Sequence, residues 1–232
     1  MRVKLDFSVL LRDEYPQWIL HGVITMFELT ALAWLLAIAV GTVLAVMRMG
    51  HNRVARAFVT AYVEYHQNVP MLVQIFLWYF GIPALLPAGA QQWVNAHNSE
   101  LVFATISIGL CMAAYVSEDL RGGIRAIPSA QMEAARALGL TYLQACRQVV
   151  LPQAVRIALP TLVSHTVLLF KNSSLAMTIG VAELTYATRE IESQSFRTVE
   201  VYLFSTMFYL LVCLAVMAAG TALEARYRIK TR

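Results

Sequence analysis

Lys171 stands inside an apolar run and is followed by Asn172, Ser173 and Ser174. An ammonium group in hydrocarbon is costly, so it either meets a carboxylate or borders water. Two chemistries are open to it: drawing an anionic substrate group along a polar path, or pairing with Glu64 or Glu118 to hold helices together. A second polar cluster, Glu64, His66, Gln67 and Asn68, comes immediately before Val69-Pro70. Proline lacks a backbone donor, so a helix carrying these residues breaks there. Backbone left unpaired inside a membrane must lie against protein or a water-filled cavity. The alternative is a kinked entry helix whose polar face rests among headgroups. Glu28 lies in another apolar run; it either touches the same path or is satisfied by Thr25 or Thr30. Trp18, Trp34, Trp78 and Trp93 read as interface anchors or packing, and His21, His97 and His165 are scattered without an assigned role.

The chain shows no GxxxxGK[ST] phosphate loop, so no ATP hydrolysis is expected of it, and no GxSxG, HExxH or CxxC pattern. Cys111, Cys146 and Cys213 are an odd set, which indicates neither a disulfide framework nor a zinc site.

The elements that must position these residues follow from composition. Of 232 residues, 59% are hydrophobic and only 14% charged, with a mean hydropathy of +0.60. Soluble chains carry about 25% charged residues. A cytosolic enzyme, a disordered tail and a secreted disulfide scaffold are thereby excluded, and the bilayer becomes the solvent. Five membrane spans are expected, over about 19–47, 57–80, 101–118, 159–181 and 201–223. The first is too long for a signal-peptide core and is read as retained. In the second, residues 69–81 make about 20 Å of helix, which places the break at Pro70 in the cytoplasmic half.

The basic residues then give the topology. Arg48, Arg53 and Arg56 lie between spans one and two; Arg121, Arg125, Arg136, Arg147 and Arg156 between three and four; Arg226, Arg228, Lys230 and Arg232 in the tail. On the other side are Arg2, Lys4, Arg12, Arg189 and Arg197, and residues 81–100 have no Lys or Arg. The positive-inside rule puts the N-terminus outside and the C-terminus in the cytoplasm. The net charge of +4 is therefore a topology signal and does not indicate a nucleic-acid partner.

The connection over 121–158 is too polar to span and too apolar to be a linker. Ser129 is a plausible N-cap for a helix over 130–138, Glu133 sits in its first turn, and Gly139 fits its C-terminal stop. Thr141 with Gln144 is a capping-box pattern that starts a second helix, running to about Val150 before Pro152 limits it. Ala134, Ala135, Ala137 and Leu138 offer a small, close-packing surface. From periodicity alone, an amphipathic hairpin on the headgroups is an equal reading.

Here the residues carry a resemblance. Glu133-Ala134-Ala135, Gly139 four residues on, and Val150-Leu151-Pro152 resemble the EAA loop of ABC-importer permeases. Glu64-Tyr65-His66-Gln67-Asn68-Val69-Pro70-Met71-Leu72-Val73-Gln74 is similar to a segment of polar amino-acid permeases, as are Ala114-Tyr115 with Glu118, Arg121-Gly122-Gly123-Ile124, Gln153-Ala154 and Lys171-Asn172-Ser173-Ser174-Leu175. Two departures stand out: Gln67-Asn68 replaces a common Arg-Gly or Arg-Asn, and Asn172-Ser173 replaces a common Asp-Thr, removing a negative charge beside Lys171. With Trp78-Tyr79-Phe80, the chain most resembles glutamate/aspartate importer permeases.

The resemblance implies an all-α membrane protein of type I importer-permease fold in the bacterial inner membrane. Its coupling helix, carrying Glu133, Ala134, Ala135, Leu138 and Gly139 with Leu151 and Pro152 behind it, would dock on an ATPase subunit. Implied partners are a second permease chain, identical or paralogous, two ATPases that use ATP and Mg, a periplasmic substrate-binding protein and an acidic amino acid. The substrate pathway would pass Lys171, Asn172, Ser173, Ser174, Glu64, Gln67, Asn68 and Glu118. No cofactor is expected on the chain itself. Two rivals remain at this point: an ion-coupled secondary transporter relaying protons through Glu64 and Glu118, and a membrane scaffold whose hairpin recruits a cytoplasmic partner.

Overall fold

A computed structural model describes residues 5–227, so the basic residues Arg2, Lys4, Arg228, Lys230 and Arg232 lie outside the described residues. The described residues form helices and turns, with no strand among them. Helix α1 spans Tyr15–Met49, α2 Arg53–Asn68, α3 Met71–Phe76, α4 Ala88–Ala96, α5 Ser99–Arg125, α6 Ser129–Ala137, α7 Tyr142–Ala145, α8 Leu151–Asn172, α9 Leu184–Ser195 and α10 Thr198–Tyr227. Four helical stretches are long and apolar enough to cross a membrane: Tyr15–Met49, Ser99–Arg125, Tyr142–Ile179 and Thr198–Tyr227.

The span expected over 57–80 is broken at Pro70, as the proline predicts. Arg53–Asn68 and Met71–Leu85 are two helices bent by 109° at the break, so the count reaches five only if the bent pair is one crossing. Val69, forced out of the helical region by the following proline, is extended at φ −94° and ψ 129°, and Pro70 cannot donate to the preceding turn.

Pro152 does not end a helix as expected. A π turn over Cys146–Val150, in which the Leu151 N–H reaches the Cys146 carbonyl, joins α7 to α8. Pro152 falls directly after this π turn, in the first turn of α8, and the helix continues through it. The connection over 121–158 is accordingly shorter than hydropathy suggests, because α5 runs on to Arg125 and α8 begins within it.

The helices pack through small residues, the usual route to close approach where lipid supplies no hydrophobic drive. Ala33, Ala37 and Gly41 repeat at intervals of four along α1 and meet Gly109 and Ala113 of α5. A Cβ on Gly41 would lie 2.9 Å from the Ala113 carbonyl oxygen, and one on Gly109 would lie 3.0 Å from that of Ala33. These contacts run in the same order on both helices, so α1 and α5 are parallel. Asp119 with His165, and Gly123 against Ala154 and Ala158, make α8 antiparallel to α5. Gly220 against Val163, and Phe170 against Tyr209, make α10 antiparallel to α8. The ends of α1, α5 and α10, with Arg48, Arg125 and Arg226, thus gather with the starts of α2 and α8 at one basic end. The sequence grouping of charges is reproduced by the packing.

Candidate translocation path and coupling surface

The break after Asn68 is built, not frayed. In an unbroken helix the His66 carbonyl would accept from residue 70, which is proline. The Gln74 side chain takes over: its Nε2 donates to the His66 oxygen at 3.1 Å and to the Val69 oxygen at 2.8 Å. Its Oε1 sits 2.6 Å from His66 Nδ1, and Gln74 is wholly buried. One amide group therefore satisfies what Pro70 cannot. The Cys111 thiol also donates to the His66 oxygen at 3.4 Å, and Tyr62 Oη donates to the Leu110 oxygen at 2.7 Å. Leu110 and Cys111 lie near the midpoint of α5, so the break falls at mid-depth. The break is thus level with the middle of α5, and the 109° bend turns residues 71–85 away from the axis of α2.

Lys171 stands at the end of α8, where the helix tightens into a 3-10 stretch over Ser173–Ile179. The hydroxyls of Ser173, Ser174 and Thr178 each donate to the carbonyl three residues earlier at 2.7 Å, which favours this narrower winding. Ser173 is buried, Asn172 and Ser174 are half-buried, and Lys171 is exposed. Neither candidate carboxylate pairs with Lys171. Glu64 is exposed and accepts from Asn68 Nδ2 at 3.1 Å, while Glu118 is held by Arg48 and Arg121. Glu118 thus ties α1 to α5 at the basic end, away from the other polar residues. Gln67 and Asn68 are exposed, on the side of α2 opposite buried His66.

Register relates the two clusters. His165 meets Asp119 and Tyr115 across α5, so Lys171, six residues further along antiparallel α8, comes level with Cys111. That is also the level of the His66 carbonyl. Helix α3 packs against the 3-10 stretch, with Ile75, Ala176 and Ile179 in one buried cluster. The structure therefore brings the Pro70 break and the Lys171–Ser174 segment to one depth. Glu28 is exposed and is not satisfied by its threonines as expected; the Thr30 hydroxyl donates instead to the Met26 carbonyl at 2.7 Å.

Three polar groups escape a reading of periodicity. Asp119 and His165 pair at 2.6 Å, and Trp34 Nε1 donates to Thr166 Oγ1 at 2.9 Å; each lone residue gave no signal until its partner helix was known. Glu183 is fully buried as the N-cap of α9, accepting from the Thr185 and Tyr186 amides at 2.8 and 2.9 Å and from Tyr209 Oη at 2.9 Å. Its position beside Gly180, at φ +94°, and at the start of an amphipathic stretch was the available cue.

At the basic end, α6 begins one residue earlier than expected, with Pro128 at the N-cap position and no side-chain cap from Ser129. It ends as expected on Gly139, at φ +88°. The Leu140 amide bonds the Ala135 carbonyl at 3.2 Å and the Gly139 amide bonds that of Arg136 at 3.0 Å. Thr141 and Gln144 form the expected capping box. Ala135 is buried and seats α6 on the α7 side; it does not present itself outward. Glu133, Ala134 and Gly139 are exposed, together with Leu138 at 85%, Tyr142 at 63% and Leu143 at 76%. Tyr142 and Leu143 were not anticipated, since a capping box says where a helix starts and not which face it shows. A protruding apolar patch of this kind marks a contact surface. Leu151 and Pro152 are exposed but line a groove against α10 instead.

Residues 37–229 match the family described as the binding-protein-dependent transport system inner membrane component. The chain belongs to that family. It is similar to the glutamate/aspartate import permease protein GltJ of Escherichia coli K12, 35% identical over 93% of this chain and 89% of the relative. It is also similar to the probable glutamine ABC transporter permease protein GlnM of Bacillus subtilis, 33% identical over 86% of this chain and 90% of the relative. Among solved structures, an amino acid ABC transporter crystallised with histidines matches with a TM-score of 0.82 and 28% identity, over 97% of this chain and all of that one. The MetNI methionine transporter shares the fold at a TM-score of 0.67 and 17% identity. The permease is therefore a multi-pass protein of the bacterial inner membrane with a type I ABC-permease fold.

Proposed function

We propose that this permease subunit of an amino acid ABC importer carries a polar, preferentially acidic, amino acid into the cytoplasm, with its basic end facing inward. The observation that carries the reading is Lys171: a mid-depth ammonium, exposed, with no ion pair among the described residues, level with a broken helix. Unpaired charge at that depth belongs beside a water-filled path. Broken helices near the midplane are where transporters place their sites. Exposed Glu28 on α1 needs a similar environment, which a second permease chain would help to enclose. The residues along the path would be Lys171, Asn172, Ser173, Ser174, Glu64, Gln67 and Asn68. Glu118 is better read as the ionic tie between α1 and α5.

Energy would come from two ATPase subunits using ATP and Mg, docked on the α6–α7 knob through Glu133, Ala134, Leu138, Tyr142 and Leu143. A periplasmic binding protein would deliver the substrate. The relationship to GltJ supports an acidic substrate and that to GlnM a neutral amide. Lys171→Gln, assayed for uptake in proteoliposomes with all subunits, decides between them. A loss of glutamate uptake of tenfold or more with glutamine uptake unchanged supports the acidic reading. Equal effects on both substrates, or none, refute a charge-selective role.

A further inference from the structure

We propose that the splay between α8 and α10 at the basic end binds one anionic phospholipid, with its phosphate on Arg156 and an acyl chain running along the apolar wall toward the Gly220–Val163 crossing. The two helices touch where Gly220 faces Val163, so closely that no room remains for a methyl group on the glycine. Below that crossing they diverge and leave a groove of about 440 Å³, walled by Leu151, Val155 and Leu159 on one side and Leu223 on the other. Its two polar-tipped lining residues are Arg156 and Tyr227. Each lies seven residues from the crossing, Arg156 from Val163 and Tyr227 from Gly220, or about 10 Å along its helix. The two residues therefore stand at one level of the groove, Arg156 between the Leu151 and Leu159 levels of its α8 wall.

That level is the edge of the hydrocarbon. The apolar run of span four starts at about Leu159, less than one turn above Arg156. An arginine there places its stem against apolar surface and its head among phosphates. Arg156 is exposed and makes no ion pair among the described residues, and Arg226 on the last turn of α10 adds a second positive charge. Basic pockets between helices at the cytoplasmic face recognise anionic headgroups in this way. The neighbouring hollow of about 350 Å³ between the same helices is lined by Glu224, which disfavours a phosphate there and leaves Arg156 as the anchor.

The test uses the whole transporter, purified in mild detergent and examined by native mass spectrometry. Phosphatidylglycerol or cardiolipin is expected to stay bound to the wild-type complex. Arg156→Gln and Val155→Trp are expected to lower the retained fraction at least fivefold, while Glu224→Gln leaves it unchanged. A second measurement covers the case that Val155→Trp does not assemble. The fluorescence of a Tyr227→Trp variant in nanodiscs should be quenched at least twofold more by brominated phosphatidylglycerol than by brominated phosphatidylcholine, and Arg156→Gln should abolish the difference. Equal retention in all variants, retention of zwitterionic lipid as well, or equal quenching would overturn the proposal. So would cross-linking of a Val155→Cys variant to the second permease chain or to the ATPase, which would make the groove a protein interface.

Discussion

Gly139 separates the proposed coupling role of the α6–α7 knob from its contribution to folding. Its φ of +88° lies where a β-branched residue is strained, yet a Cβ built there meets nothing within 4 Å. The cost of Gly139→Val is therefore conformational and local. Holding valine in the left-handed region costs about 1–2 kcal/mol. Escaping it gives up the Leu140–Ala135 and Gly139–Arg136 bonds, worth about 1 kcal/mol each. Either way the native turn loses about 1–2 kcal/mol, a factor of roughly 5–30 in its population. The membrane helices pack elsewhere and lose nothing. In proteoliposomes containing the complete transporter, Gly139→Val should cut substrate uptake and substrate-stimulated ATPase activity by at least fivefold, with wild-type levels in the membrane. Gly139→Asn, which tolerates this conformation, should retain most activity. Unchanged uptake in the valine variant refutes the coupling role, and loss of the protein from the membrane refutes the claim that the strain is local.

Gln74→Leu should destabilise the subunit strongly, because it strips the partners of His66 Nδ1 and of the Val69 carbonyl and leaves the His66 carbonyl only the Cys111 thiol, at about 1–3 kcal/mol for each group left unsatisfied. Thermal unfolding in detergent should show a much larger drop than Gln67→Leu, which alters an exposed side chain; equal drops would disprove the bracing of the break. Gly41→Val should cost about 1–3 kcal/mol or more, since its Cβ would press on the Ala113 carbonyl oxygen, a backbone atom that cannot swing away. Gly122→Ala, with open space around it, is the control, and a comparable loss of melting temperature in both would refute the tight α1–α5 seam.

What could be read from the sequence depended on whether the signal was local. The Gly139 stop, the Thr141–Gln144 box and the Pro70 break are set by neighbours within four residues, and each is found. The sidedness of the basic residues needed only their order along the chain, and packing gathers Arg48, Arg125 and Arg226 at one end. Pro152 was misjudged because its tolerance depends on the five-residue π turn just before it, which has no hydropathy signature. Lys171 was recognised as costly, but whether it met Glu64 or Glu118 depended on helix register. The answer required Arg48, on another helix, to claim Glu118. The Asp119–His165 pair failed for the same reason: its members are 46 positions apart and only antiparallel packing of α5 and α8 unites them.

Continuity of the chain connects the two ends of the proposed mechanism. From Tyr142 to Ile179 the backbone is helical without interruption, so the knob that carries Tyr142 and Leu143 and the segment that carries Lys171 are one body. Only two places along it depart from α-winding: the π turn beside the knob and the 3-10 stretch after Lys171. Such windings are where a helix can change register at least cost. In the proposed mechanism, a displacement applied to the knob would pass along α8 and be taken up in Ser173–Ile179, against which α3 packs just beyond the Pro70 break. Anchoring the far side of that stretch falls to Glu183, buried and bonded to α10 through Tyr209. That mechanism would focus movement at the depth where Lys171 stands, where the proposed path requires alternating access to be decided.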